Sequence, residues 1–289
     1  MTSFGDVVPG VTRSEQLRVA LVQLTSVDDL DRNLASCLSA LASIATSGSC
    51  DLICLPENAL YFRGLETDPL PALDLSDRHI ARLAEAAREM ACAVHVGSVP
   101  LLEDGRVFSA SVLIQADGSV SGAYRKIHLF DVDVRGMKRV RESDSFAAGS
   151  RPVILEVAGW RLGSSICYDL RFAELYATYA KTGVDALLVP SAFLVATGRR
   201  HWDVLLRARA IESQAFVLAA AQGGRHRGRS GGERETWGHS MIVGPWGEKM
   251  AECEDGDGSA DFQTVRATLT KSMLKDVRDQ IPMARHRRL

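Results

Sequence analysis

Three residues far apart in the chain have side chains that could do chemistry together. Cys167 ends the apolar run Gly163-Ser164-Ser165-Ile166, Glu57 follows the short run Asp51–Pro56, and Lys126 follows Val120–Tyr124. Each therefore stands just past the C-terminal end of an expected strand, the edge at which open α/β sheets bind ligands. A cysteine thiol is only a few per cent ionised at neutral pH and needs a base or a positive charge to act as a nucleophile. Glu57 offers the base and Lys126 the charge. Attack on an amide carbonyl would build an oxyanion, for which Lys126 and the backbone N–H of Tyr168 are the available donors; one such donor is typically worth about 10²–10³ in rate. Glu57 would then protonate the departing ammonia and later activate water against the thioester. Turn N–H groups and the positive end of the following helix are expected to favour thiolate over thiol. Each residue also has a plainer reading: Cys167 as a buried structural thiol, Glu57 as a turn cap and Lys126 as a solvated strand-end charge.

The elements that must position them alternate. Leu17–Leu24 reads as a buried strand, Asp28–Ala45 as an amphipathic helix with Leu30, Leu34, Leu38 and Leu41 on one face, and Asp51–Pro56 as a second strand. A helix capped by Ser76 and a strand at Val94–Val99 follow, then a hairpin, Val107–Ile114 with Val120–Tyr124, around Ala116-Asp117-Gly118. Asp131–Gly149 is a long charged loop. The scheme then repeats: strands at Val153–Val157 and Arg161–Ile166, a helix marked by Phe172, Leu175, Tyr176 and Tyr179, a strand at Asp185–Val189, a helix at Trp202–Ala210 and a strand at Phe216–Ala220. A hairpin across Gly244-Pro245-Trp246-Gly247, a strand at Phe262–Ala267 and a helix at Lys271–Arg278 close the chain. Such alternation predicts α/β layers, helices outside and sheets within, in two similar halves. Gly223–Glu235, rich in Gly and Arg, reads as a mobile loop that either gates substrate or is simply solvated; its arginines are offset by Glu233 and Glu235, which weakens an RNA-binding reading.

With 289 residues, 46% apolar and 24% charged, the chain can bury a full core. A formal net charge of −2 gives no electrostatic case for nucleic acid or a membrane surface. No apolar stretch is long enough to span a bilayer, and Met1–Gln16 lacks the apolar core of a signal peptide. The expectation is a cytoplasmic protein with a flexible tail over residues 1–16 and one domain over 17–289. Its six cysteines would stay reduced there, and Cys50 with Cys54 lacks the second pair that a zinc site needs.

Leu55-Pro56-Glu57-Asn58, Tyr124-Arg125-Lys126-Ile127-His128-Leu129-Phe130-Asp131 and Gly163–Phe172 resemble, in order and spacing, the three catalytic blocks of the nitrilase superfamily of carbon–nitrogen hydrolases. The resemblance runs from about Leu17 to Arg288. It implies a nitrilase-type four-layer α-β-β-α sandwich, a Glu57–Lys126–Cys167 triad, no metal or organic cofactor, and assembly as a homodimer or larger. It also assigns Glu142, in Arg141-Glu142-Ser143, to the family's second glutamate, which orients the lysine and the substrate.

Within the superfamily, Pro190-Ser191-Ala192-Phe193, Thr197-Gly198-Arg199-Arg200-His201-Trp202, Ala219-Ala220-Ala221-Gln222 and Gly238-His239-Ser240-Met241 are similar to the deaminated glutathione amidases. The implied activity is hydrolysis of a small acidic primary amide to acid and ammonia through a cysteinyl thioester. The alternatives are an ω-amidase acting on α-ketoglutaramate or α-ketosuccinamate, and a non-catalytic binding subunit of the same fold. Departures at Ala173, Ala196 and the Gly-rich insertion after Arg227 bear on substrate choice. Candidate substrate-binding residues are Arg171, Ser191, Phe193, Thr197, Arg199 and His201, with Arg225 and His239 also near the site; an arginine could pair bidentately with a substrate carboxylate. Trp202 and Trp246 are expected in the core.

Overall fold

The structure, a computed structural model, describes residues 14–133, 140–229, 231–254 and 261–288. In chain order the first half holds β1 (Gln16–Leu24), α1 (Leu30–Thr46), β2 (Leu52–Cys54), α2 (Arg78–Met90), β3 (Ala93–Glu103), β4 (Arg106–Ile114) and β5 (Val120–Arg125). A short antiparallel pair, β6 (Asp131–Val132) with β7 (Val140–Arg141), and a 3-10 turn, Glu142–Asp144, lie within the segment expected as a charged loop. The second half holds β8 (Ile154–Val157), β9 (Trp160–Ser164), a 3-10 turn at Cys167–Arg171, α3 (Ala173–Thr182), β10 (Ala186–Leu188), α4 (Val195–Ser213) and β11 (Phe216–Ala219). It continues with β12 (Gly223–Arg227), β13 (Glu233–Trp237), β14 (Met241–Val243), β15 (Lys249–Glu252), β16 (Phe262–Thr270), α5 (Lys271–Gln280) and α6 (Met283–His286).

Two six-stranded sheets form, ordered β16-β1-β2-β3-β4-β5 and β15-β14-β11-β10-β9-β8. Their strands are apolar on both faces because both faces are covered. Along β1, Ala20, Val22 and Leu24 pack with Leu34, Leu41, Ile80 and Leu83 of α1 and α2. The alternate residues Leu17, Val19 and Leu21 pack with Leu162, Leu188 and Phe216 of the other sheet. In the second sheet Val217 and Ala219 face Tyr176, Tyr179, Trp202 and Leu206 of α3 and α4. The layers run helix, sheet, sheet, helix, the four-layer sandwich expected.

Three details differ from expectation. The last strand, β16, pairs antiparallel with β1 along its full length, from Gln16 opposite Thr270 to Leu24 opposite Phe262, so it completes the first sheet rather than the second half. The helix expected to start on Ser76 is capped by the Asp77 carboxylate, which accepts from the His79 N–H, while Ser76 bonds back to Asp74. Gly223–Glu235 is not a free loop: it supplies β12 and most of β13, an antiparallel pair with His226 opposite Arg234. Of the tail expected over residues 1–16, residues 1–13 lie outside the described residues, and Gln16 already opens β1. No helix among the described residues is long and apolar enough to cross a membrane.

Candidate active site

Glu57, Lys126 and Cys167 come together at the floor of one cavity of about 950 Å³, and all three line it. β2 ends two residues before Pro56, and the Glu57 carbonyl accepts from the Gln222 side chain at 2.9 Å, which ties this strand end to the second half. Gly97 makes the approach possible: a Cβ there would lie 2.3 Å from the Leu55 carbonyl, 2.4 Å from that of Pro56 and 2.5 Å from Pro190 Cβ. Pro190 in turn lies two residues past β10, and its carbonyl accepts the Cys167 N–H at 2.9 Å. The end of β2, which carries the carboxylate, thus meets over one glycine the segment after β10 to which the backbone of the cysteine is bonded, a requirement that nothing local in the sequence announced.

Lys126 is 2% exposed, and its Nζ donates to Glu57 Oε1 at 2.8 Å and to Glu142 at 2.9–3.0 Å. Glu142 Oε2 also accepts the Phe130 N–H at 2.6 Å, so the second glutamate is fixed by the loop that follows the lysine. Burial works against the ammonium, but the charges of Glu142 and Glu57 outweigh it and hold the Lys126 pKa well above its ordinary value. Burial raises that of Glu142, partly offset by Lys126.

Cys167 takes a left-handed backbone conformation, φ +46°, uncommon for a residue with a Cβ and held here by the turn it opens. Its thiol lies beside the Glu57 carboxylate, the Lys126 ammonium and the Ala192 N–H. Burial, and next the charge of Glu57, push its pKa well up; Lys126 and Ala192 only partly compensate. Desolvation thus works against the bias toward thiolate expected from the turn N–H groups and the helix end. The Tyr168 N–H precedes the first bond of the 3-10 turn, that of Asp169 to the Ile166 carbonyl, and no acceptor for it is found among the described residues.

Asp169 is the residue whose part sequence reasoning missed. Fully buried, its carboxylate accepts from the Ile166 N–H (2.9 Å), the His128 N–H (3.0 Å), the His128 ring (2.7 Å) and the Tyr124 hydroxyl (2.7 Å). One side chain thereby locks the lysine block to the cysteine block, and His128 stacks on Phe172 with ring centroids 3.6 Å apart. Its only sequence signal was an acidic residue two places after the cysteine.

The other candidates divide. Arg171, Phe193, Thr197 and Tyr168 line the cavity. Arg171 sits over the Tyr168 and Phe193 rings, 3.1 Å from His201 Nδ1, and His201 itself does not line the cavity. Ser191 is fully buried, bonds the Val189 carbonyl and does not line the cavity. Arg199 stacks on Trp237, His239 pairs with Glu252, and Arg225 pairs with Glu233 on the outer face of its hairpin; none of the three lines the cavity. Trp202 is in the core, but Trp246 is 47% exposed, because the tight turn that carries it has no second layer above it. Arg63 and Arg234, not singled out from the sequence, do line the cavity. Among the described residues no cluster of side chains is arranged to hold a metal ion.

A family model described as carbon-nitrogen hydrolase matches residues 18–279. The chain belongs to this family. It is 35% identical over 275 residues to a deaminated glutathione amidase of Yersinia enterocolitica, covering 93% of this chain and 92% of that protein. It is 34% identical to an omega-amidase of Xenopus tropicalis, covering 94% and 95% respectively. Among solved structures, the C. elegans NitFhit protein superposes with a TM-score of 0.82 at 30% identity, over 96% of this chain and 66% of that one. As a carbon–nitrogen hydrolase, the chain is an enzyme.

Proposed function

We propose that this carbon–nitrogen hydrolase is an amidase that uses Cys167 as nucleophile, Glu57 as general base and acid, and Lys126 as oxyanion donor. The observation that supports it is that Cys167 lines one cavity with a carboxylate, Glu57, that shares a buried ammonium with Glu142. Cys167 Sγ attacks the amide carbon as its proton passes to Glu57, and the developing oxyanion is held by Lys126 and the Tyr168 N–H. Collapse breaks the C–N bond, and Glu57 hands its proton to the leaving nitrogen. Glu57 then takes a proton from water attacking the thioester, which releases the acid and restores the thiol. Glu142 positions Lys126, and Arg171 pairs with a carboxylate on the acyl portion.

The substrate we propose is deaminated glutathione. For this substrate the expected release of ammonia from a primary amide is corrected: its scissile bond is a secondary amide that joins a γ-acyl group to an amine, so the leaving group is cysteinylglycine, and ammonia leaves from primary amides such as α-ketoglutaramate. The omega-amidase relative keeps that second reading open, and the size of the cavity favours the longer substrate. Purified protein offered both amides in parallel, with acyl, amine and ammonia products quantified, separates them: faster turnover of the short keto-amide overturns the first reading. A thioester trapped on Cys167 and detected by mass spectrometry tests the mechanism.

We also propose a cytoplasmic location, supported by six free thiols, and assembly as a homodimer or larger. Val204 and Ile211 on α4 and the adjoining Trp246, 65%, 47% and 47% exposed, support assembly. Light scattering on the purified chain tests it, a monomer at micromolar concentration being the contrary result.

A further inference from the structure

The amidase reading leaves part of the cavity without a task. Its floor is the Cys167 region; its outer wall is the segment after Glu57, through Thr67, packed against the tip of the β12–β13 hairpin. The two pieces of wall are fitted backbone to backbone. A Cβ on Gly232 would lie 2.6 Å from the Gly64 carbonyl carbon, and one on Gly64 would lie 3.1 Å from the Gly232 carbonyl oxygen. Arg234 clasps them, donating to the Gly64 carbonyl at 3.3 Å and to Glu66 Oε1 at 2.5 Å.

The Glu66 carboxylate is thereby bonded to Arg234, and Arg63 beside it hydrogen-bonds only to neutral acceptors. Its Nη1 donates to the Glu66 carbonyl at 3.1 Å and to Ser145 Oγ at 3.0 Å, and its guanidinium lies over the Phe146 ring. Nη2 and Nε, the fork that takes a carboxylate bidentately, have no hydrogen-bond partner among the described residues. Burial lowers its pKa, the nearby charges of Glu66 and, more weakly, Glu142 oppose that, and Arg234 lowers it further, so the fork lies in a field of mixed sign and is claimed by no carboxylate of its own. Glu233 and Glu235 reach the same rim, but both are exposed to water and Glu233 is paired with Arg225 and Arg227.

We infer that Arg63 is a second carboxylate subsite, which binds the terminal carboxylate of the leaving amine and so selects amides whose amine portion is a short peptide acid. The placement gives each half of the substrate its own guanidinium. Arg171 shares a turn with the nucleophile and serves the acyl half; Arg63 shares a loop with Glu57, the group that protonates the departing nitrogen. The Arg234–Glu66 clasp and the hairpin hold Arg63's wall in place.

The inference rests on the amidase reading and is tested with a matched pair: a γ-amide of 2-oxoglutarate on a dipeptide, as the free acid and as its C-terminal methyl ester. The wild-type chain should show a KM about 10–100-fold lower for the acid at similar kcat. In Arg63→Gln the acid's KM should rise to that of the ester. Wild-type indifference to esterification overturns the inference without touching the amidase reading, and needs no variant. A variant that loses acid and ester equally overturns it too. If wild type hydrolyses neither compound the deaminated-glutathione reading fails, and calorimetry of the same pair on Cys167→Ala protein then decides for or against Arg63. An acid preference abolished by Arg63→Gln supports the subsite, and the lack of any preference refutes it.

Discussion

At the cavity floor the ionisable groups are packed against one another and almost dry, whereas at the outer wall they are spread along a seam and half wet. Lys126 is clasped by two carboxylates at 2.8–3.0 Å, and Asp169 collects four donors from two separate chain segments. The wall is joined by an ion pair across its two pieces, Arg234 with Glu66, and by glycines that let two backbones touch. In a dry site each charge is worth several times its value in water and cannot be removed without stranding its partner. At a wet seam a lost pair costs little. The same cavity therefore has a floor that governs rate and a wall that governs choice.

The largest effects should fall on the floor. Cys167→Ala should lose at least about three orders of magnitude in kcat yet fold with wild-type stability, since it removes one small buried group that holds nothing else. A rate near wild type in that variant would sink the enzymatic role of the sulfur. Lys126→Ala should cost about 10²–10³ in kcat and, unlike the cysteine variant, about 3–5 kcal/mol of stability, because Glu57 and Glu142 are then buried side by side without a cation. If chemical denaturation finds it as stable as Cys167→Ala, the dry, coupled character of the floor is wrong.

Asp169→Asn comes next. An amide can replace one acceptor but turns a donor toward groups that already donate, the Tyr124 hydroxyl and the Ile166 and His128 N–H groups. The expected result is a fall in kcat of about 10–100-fold with KM little changed, as Lys126 and Cys167 lose their common support. An unchanged kcat would show that the two blocks find their places without it.

How far this division could be read from the sequence depends on how locally each part is encoded. Glu57, Lys126 and Cys167 were legible because each terminates an apolar run, and strand ends are a local signal. Glu142 came only from family resemblance, since a glutamate in a charged loop has no periodicity of its own. The hairpin was read as a loop because its glycines hide the alternation: Gly224, His226, Arg234 and Thr236 face inward, Arg225, Arg227, Glu233 and Glu235 outward. Arg63 lies in an irregular segment and gains meaning only from its spatial neighbours. The pairing of β16 with β1 was equally hidden, because alternation tells that a strand is buried and not which sheet it joins.

On the wall, Arg234→Gln should raise KM for a dipeptide amide by only a few-fold and leave kcat intact, in line with a half-exposed pair worth about 0–1 kcal/mol. A loss of kcat comparable to that of Asp169→Asn would erase the distinction between floor and wall.

The last test uses pH, because each region carries a buried histidine. His226 anchors the hairpin: its Nδ1 bonds the Ser26 carbonyl at 2.7 Å, its Nε2 meets Thr236 Oγ1 at 2.6 Å, and it stacks on Phe62. Burial holds its pKa at about 4. His95, on β3 in the sheet that carries Glu57, is fully buried with neither ring nitrogen bonded, and burial takes it to about 3. Both folded values lie below the unfolded value of about 6.5, so between these limits the unfolded chain binds more protons and stability falls as pH drops. From pH 7 to pH 5 each histidine should withdraw about 2 kcal/mol, and the loss should end near pH 4 for His226 and near pH 3 for His95. Urea unfolding of His226→Gln should therefore show a loss between pH 7 and pH 5 smaller than that of wild type by about 2 kcal/mol. If the variant keeps the full slope, the hairpin is not held by a neutral buried imidazole, and the wall is looser than its contacts describe.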